Sequence, residues 1–380
     1  MKRYAKNIAL VLFKYFPYGG LQRDFFSIAK ELKERGHSIK VFTRTWDGAI
    51  PSWLDVIEVG EKGITNASKN RKFVENVIFE VKKDCPDIVF GFNKMPGLDL
   101  YFAADTCFAK YSSEKHFLQK FTKRSKQAIQ YEKDVFSKKS KTKILLLNSI
   151  QKTDFTDVYE TPEDRIQIIP PGLDRDWLNV ESFNIRDELK ISDKDKIMLF
   201  VGSDFSRKGL DRAVLGLEYL IDNHIPTSLI VIGDDKDSDY LELITKKNLV
   251  SRIKFMGPRN DVASFMKSSD ILIHPAREEA AGNVVIEAII AGLPSIVSSE
   301  VGFSEEILKF NSGYVLKGAF SQKAFNSLLA EAISDENLEK IRLSIRNIRN
   351  RDYFFSRFKF VADYIETVSY THLTLPTIGY

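Results

Sequence analysis

Glu279 and Glu287 stand eight positions apart in REEAAGNVVIEAIIAGLP, residues 277–294, with Gly282 between them. If residues 280–282 lead into a helix that runs to about Ile290, Glu279 lies just outside its N-terminus and Glu287 in its second turn. The backbone N–H groups of Ala281, Gly282, Asn283 and Val284 then gather at a helix N-terminus, which attracts a phosphate by about 0.3–1 kcal/mol through the dipole alone. A carboxylate repels phosphate. The two glutamates are therefore expected to reach past it, Glu287 to a ribose diol and Glu279 to a transferred sugar, which is the layout of a nucleotide sugar. The plainer alternative makes Glu279 a helix-terminal charge and Glu287 part of a solvated face.

Two other stretches point to the same chemistry. GSDFSRKGLD, residues 202–211, follows a strand-like run and sets Arg207 and Lys208 at the start of a helix, where two cations can hold a diphosphate and stabilise it as it departs. Taken alone, such a pair is also ordinary surface charge. YFPYGGLQRD, residues 15–24, places Gly19 and Gly20 between a first strand and a first helix, where the backbone can approach a phosphate or sugar closely. Its alternative is a tight turn. No GxGxxG run is present, so nicotinamide and flavin binding lose support. The acidic run DDKDSD, residues 234–239, reads as a solvated loop, not a metal site, and no Ser/His/Asp constellation is visible. His274, in ILIHPA, reads as the end of a buried strand rather than a base.

Strands and helices must alternate to place these loops. NIALVLF, SIKVFT, DIVFGF, LYFAAD and KILLLN form one strand series, with helices near 21–32 and 70–83 and in a basic segment. IIPPGLD, residues 168–174, interrupts the rhythm as a hinge. IMLFVG, SLIVIG, IKFMG, ILIHP and PSIVSS form a second series, and helical sequence from about Ser321 to Val368 closes the chain. The expectation is an α/β fold of two Rossmann-like domains with parallel sheets. They span 1–171 and 172–352, with a helix at about 353–368 packing back on the first. Residues 369–380 read as a non-native tail.

The bulk composition agrees. A chain of 380 residues with 43% hydrophobic and 28% charged residues has the length for two domains and the apolar content for two cores. Two cysteines give neither a disulfide framework nor a metal spacing, which suits a reducing cytoplasm. No uncharged apolar run reaches membrane-spanning length. The net charge of +4 is unevenly spread: residues 107–143 hold eleven Lys or Arg against three Asp or Glu. There Phe117, Leu118, Phe121, Ala128, Ile129, Val135 and Phe136 leave an apolar stripe flanked by cations, the pattern of a helix lying on an anionic leaflet. A domain helix packing that stripe inward fits equally. Nucleic acid is not expected, because no recognition motif accompanies the cations.

The Glu279–Glu287 pair, the Arg207–Lys208 pair and the Gly19–Gly20 loop fall in the order found in the family 4 retaining glycosyltransferases of GT-B fold, which this chain resembles over about residues 1–368. KYFPYGGLQRDF, GFNKMPGLDLYFAAD, VGSDFSRKG, RNDV and HPAREEAAGNVVIEAIIAGLP resemble, within that family, the heptose glucosyltransferases of the lipopolysaccharide core. The resemblance implies transfer of glucose from UDP-glucose to a lipid-linked heptose, with retention, without a metal or other cofactor. It implies work on the cytoplasmic face of the inner membrane, where the segment 107–143 would meet the anionic surface. By the same resemblance Glu279 holds the sugar, Glu287 the ribose, and Arg207 and Lys208 the diphosphate. Gly19 and Gly20 close over the donor phosphate and sugar, and backbone groups near Arg259 and Asn260 take the uracil. Asp105 faces the reaction centre, or else caps a helix. Arg175 on the donor side and Asp24 on the acceptor side are weaker carry-overs. A GT-B-fold epimerase or hydrolase, or a non-catalytic membrane-associated binding protein, are the rival expectations.

Overall fold

The structure, a computed structural model, describes residues 5–17, 19–60, 63, 65–114 and 122–373. The chain divides into two units, Met1–Gly172 with Ser356–Tyr380, and Leu173–Phe355.

The first unit is built on a seven-stranded sheet. Its strands are β1 (Asn7–Tyr15), β2 (Ser38–Trp46), β3 (Asp55–Glu58), β4 (Ile88–Gly91), β5 (Leu100–Ala103), β6 (Lys143–Leu146) and β7 (Ile166–Ile168). The order is β3-β2-β1-β4-β5-β6-β7, with parallel pairing throughout. The chain therefore turns one way from β1 to β2 and the other way at β4, so the sheet has a topological switch point between β1 and β4. Helix Gly20–Glu34 buries Phe25, Ile28, Ala29 and Leu32, a spacing that puts all four on one face.

The last helix, Arg357–Leu373, packs on that first helix. Arg357 is fully buried and donates from Nη1 to Asp24 Oδ2 at 2.8 Å, while Arg35 reaches Asp363 at 2.6 Å. Gly172 lets Arg357 lie this close: a Cβ there would sit 2.4 Å from the Cβ of Arg357. The helix continues through residues 369–373, the first part of the expected tail; residues 374–380 lie outside the described residues.

The second unit repeats the scheme with a six-stranded parallel sheet, order β10-β9-β8-β11-β12-β13. These are β8 (Lys196–Val201), β9 (Thr227–Ile232), β10 (Ile253–Phe255), β11 (Ile271–His274), β12 (Ser295–Ser298) and β13 (Gly313–Leu316). The expected α/β architecture of two Rossmann-like domains is the observed one.

The basic segment packs inward where it is described. Helix Lys123–Phe136 buries Glu132, Val135 and Phe136, and the Phe136 ring stacks on Phe155 at 3.6 Å between centroids. Lys123, Lys126 and Lys133 remain exposed. Phe117, Leu118 and Phe121 lie outside the described residues. Among the described residues no helix is long and apolar enough to cross a membrane.

Candidate active site

The sequence-predicted cations and Glu279 meet in the second unit, at the carboxyl ends of β8 and β11. After β8 the backbone passes Gly202 at φ +137°, where a Cβ would stand 2.6 Å from Lys208 Cδ. Only glycine lets the lysine lie across the strand end. Arg207 and Lys208 do not begin the long helix, as expected, but end a separate turn, Phe205–Lys208. Asp204, at φ +61°, caps it by accepting from the Arg207 N–H, and Asp235 accepts from the Phe205 N–H at 2.7 Å. Gly209 then breaks the chain into helix Leu210–Asp222, its missing Cβ avoiding a 2.2 Å clash with the Pro275 carbonyl. Part of the acidic run 234–239 thus supports the cation turn. Among the described residues no group of three or more His, Cys, Asp or Glu is placed to hold a metal.

The loop after β11 carries Glu279. It is pinned on one side by the Arg277 N–H on the Arg207 carbonyl at 2.7 Å. On the other side Gly302 N–H reaches the Glu279 carbonyl at 3.0 Å, and Phe303 N–H the Ala281 carbonyl at 2.8 Å. Gly282, at φ +77°, opens helix Asn283–Ala291; a Cβ there would meet Val301 Cγ1 at 2.5 Å. No side chain caps that end. Glu287 is buried one turn in, beside Val284.

Three groups converge on a single oxygen of Glu279. Lys208 Nζ lies 2.9 Å from Oε2 and Arg207 Nη1 3.3 Å, while His274 Nε2 lies 3.8 Å away, beyond hydrogen-bond reach. Arg207 Nη1 also donates to the Glu278 carbonyl at 2.7 Å. Burial alone would raise the Glu279 carboxyl; its cationic surroundings outweigh that and hold it well below the usual carboxylate range. His274 is fully buried at the end of β11, as its sequence context implies, and burial lowers its pKa, so the ring is neutral at pH 7. With a neutral ring, Lys208 and Arg207 are the charges that hold Glu279 ionised. Among the described residues Oε1 has no partner and is left for a ligand, beside a helix N-terminus and two cations.

The other predicted residues have surroundings of their own. Arg259 is bound by its own neighbour, donating from Nε and Nη2 to Asp261 at 2.8 and 2.6 Å, and Asn260 is exposed. Arg175 pairs with Asp352 and lies over the Phe355 ring at 4.6 Å. In the first unit, Gly20 begins the first helix and Gly19 precedes it, where a Cβ would fall 1.8 Å from Gln22 Oε1. Asp105 is exposed after β5, its carbonyl accepting from Gln151 at 3.0 Å. Asp24 sits in the buried pair with Arg357, and burial raises its pKa against the pull of the guanidinium. Sequence reasoning missed Gly202, Asp204 and Asp235. Of these, Asp204 carried a signal: an Asp just before a helical turn is a cap.

Comparison with known proteins shows the family. The family model described as "Glycosyl transferases group 1" matches residues 181–350. The lipopolysaccharide glucosyltransferase WaaG of Escherichia coli K12 is 40% identical over 338 residues, covering 87% of this chain and 90% of that protein. A crystal structure of WaaG, a glycosyltransferase involved in lipopolysaccharide biosynthesis, superposes with a TM-score of 0.86 at 38% identity, over 94% of this chain and 99% of that one. Anabaena HepE in complex with UDP-glucose shares the fold, with a TM-score of 0.68 at 17% identity, over 97% of this chain and 99% of that one.

Proposed function

This chain belongs to the group 1 glycosyltransferases, the family 4 enzymes of GT-B fold, and from that premise we propose that it transfers glucose from UDP-glucose to a heptose of the lipopolysaccharide inner core with retention of configuration. The observation that carries the reading is the one-sided ligation of Glu279. Its Oε2 is tied to Lys208 and Arg207, and its Oε1 is left at an uncapped helix N-terminus. A hydroxyl of the donor sugar fits Oε1, and the diphosphate fits the cations and the N–H groups of the 281–284 stretch. Glu287 takes the ribose and the 259–260 loop the uracil. Arg175 and Asp24, each already ion-paired, are assigned to support.

In the reaction the bond from the sugar C1 to the diphosphate oxygen breaks and one from C1 to the acceptor oxygen forms on the same face. The acceptor proton passes to the leaving phosphate. Lys208 and Arg207 stabilise the charge that grows there. No metal is needed in this scheme. The names of the relatives support the donor and the pathway, since WaaG is a lipopolysaccharide glucosyltransferase and HepE binds UDP-glucose. A lipid-borne acceptor also gives the exposed Lys123, Lys126 and Lys133 a use, each adding about 1 kcal/mol of attraction to an anionic leaflet on the cytoplasmic face of the inner membrane.

The test is incubation of the purified protein with UDP-glucose and heptose-terminated lipopolysaccharide in the presence of a chelator. UDP release together with acceptor gaining one hexose is the expected result. Consumption of a different nucleotide sugar in place of UDP-glucose would overturn the donor assignment. Folded protein that binds UDP-glucose but transfers nothing to this acceptor would overturn the acceptor.

A further inference from the structure

His274 ends strand β11, whose other residues, Ile271, Leu272 and Ile273, are apolar and fully buried. The ring is fully buried as well, near Phe200, and neither of its nitrogens has a hydrogen-bond partner among the described residues. An apolar side chain would fill this place without leaving two polar atoms dry, so the imidazole calls for a state in which one of them bonds. Its Nε2 lies 3.8 Å from Glu279 Oε2, about 1 Å beyond an ordinary N–H···O bond.

The two cations on that oxygen are held unequally. Arg207 is fixed by other partners, donating from Nε to Asp204 Oδ2 at 2.9 Å and from Nη1 to the Glu278 carbonyl at 2.7 Å, besides its 3.3 Å approach to Glu279. Lys208 Nζ has Glu279 as its one ion-pair partner among the described residues, at 2.9 Å. Lys208 is therefore the cation free to turn to a diphosphate. Once it turns, Oε2 has lost its nearest partner, and a largely buried carboxylate is costly to leave short of donors. A neutral imidazole suits the gap, because it gives an N–H and sets no further positive charge against Lys208 and Arg207. Burial first, and those two cations with it, keep the ring neutral.

We propose that His274 is a positioning residue for transfer, the reserve partner of Glu279: when Lys208 moves to the donor diphosphate, the His274 Nε2–H closes on Oε2 and keeps Oε1 aimed at the sugar. The assignment rests on the transferase reading above and adds the exchange of partners by which one lysine serves first the carboxylate and then the phosphate.

The first experiment needs no ligand. In the free wild type the ring bonds nothing, so His274→Phe should leave the denaturation midpoint at pH 7.5 unchanged. In a Lys208→Met background the ring already holds Glu279, and the same change should lower the midpoint. Equal effects in the two backgrounds would overturn the proposal. The second experiment is binding of UDP, followed by calorimetry. His274→Phe should weaken it about tenfold, the worth of a hydrogen bond to a charged group, and His274→Gln, whose amide can place an N–H where Nε2 stands, should restore most of the loss. In the Lys208→Met background the change to Phe should leave UDP binding unmoved. A check on the wild type alone uses isotope-labelled histidine, in which the Nε2–H resonance of His274 should shift when UDP is added. Binding that is equal in wild type and His274→Phe, or a resonance that does not move on saturation with UDP, would overturn the exchange. A wild type that does not bind UDP, with the ligand-free result as expected, would overturn the donor reading and leave His274 as the reserve partner of Glu279.

Discussion

Glu132 in the first unit and Glu279 in the second are both carboxylates set against a lysine beside a helix start, and they differ in how their oxygens are spent. Glu132 is fully buried and both its oxygens are used. Oε2 takes Lys94 at 2.5 Å and the Phe108 N–H at 2.9 Å; Oε1 takes the Ala109 N–H at 3.0 Å and the Tyr159 hydroxyl at 2.8 Å. Glu279 gathers Lys208, Arg207 and His274 on Oε2 alone, and its side chain keeps 14% of its surface exposed. A carboxylate saturated by its own chain cements packing, because every lone pair is already matched. One held from a single side, with its charge secured and an oxygen left over, is prepared for something that is not yet there. The pKa directions do not separate the two, since burial raises both and surrounding donors lower both to below the ordinary carboxylate value. The distribution of partners separates them.

The strongest way to break this comparison is to remove each carboxylate. Glu132→Ala leaves Lys94 and two helix N–H groups facing an apolar gap, and is expected to destabilise the first unit by about 3–5 kcal/mol in chemical denaturation. Glu279→Ala leaves Lys208 and Arg207 without their counter-charge, so it should cost some stability but less than Glu132→Ala, and it should lower kcat by about 10²–10³, the loss typical of one group aimed at transition-state charge. A Glu279 variant that loses as much stability as Glu132→Ala while keeping the wild-type kcat would reverse the two roles.

A smaller effect comes from the lysines. Lys94→Met strips a charged hydrogen bond from buried Glu132 and should cost about 1.5–3 kcal/mol of stability. Lys208→Met should instead lower kcat with little loss of stability. Combined with Glu279→Gln it should cost less than the sum of the two, because Lys208 and Glu279 Oε2 hold each other in place. Additive losses in that cycle would mean that the contact between Lys208 and Glu279 plays no part in transfer.

The difference between the two glutamates was only half visible in the sequence. Glu279, Arg207 and Lys208 could be found because each stands in a loop between a strand and a helix, and such loops gather at the carboxyl edge of a parallel sheet. That is local grammar plus one topological rule. Glu132 could not be told from the other charges of helix Lys123–Phe136, because its partners Lys94, Phe108 and Tyr159 are brought to it only by tertiary folding. The same limit hid Gly202, whose purpose is to let a side chain six residues on lie across it. Among the strands, β3, β7 and β13 were not anticipated. They are edge strands of three or four residues, mostly half-exposed, and so lack the apolar run that marks the buried strands.

The smallest predicted effect concerns His274, the member of the Glu279 cluster whose charge decides how that carboxylate is held. Both ring nitrogens are buried without a hydrogen-bond partner among the described residues, and the ring faces Lys208 and Arg207 as well as Glu279. Burial first, and the two cations with it, lower its pKa, while Glu279 pulls the other way. The unfolded chain therefore takes up a proton near pH 6.5 that the folded chain refuses. Stability is full above that pH and falls as the pH drops below it, by at most about 2 kcal/mol at pH 5. The depressed carboxylates act in the same direction but chiefly below about pH 4.5, so the window from 6.5 to 5 isolates histidine. His37, buried and also lowered, contributes to the same slope. The informative quantity is thus the difference between wild type and His274→Phe, each measured by denaturation at pH 7.5 and 5. The wild type should lose more over that interval. Equal losses would mean that His274 is already protonated in the folded protein, making its contact with Glu279 Oε2 an ion pair and giving that oxygen three cations instead of two.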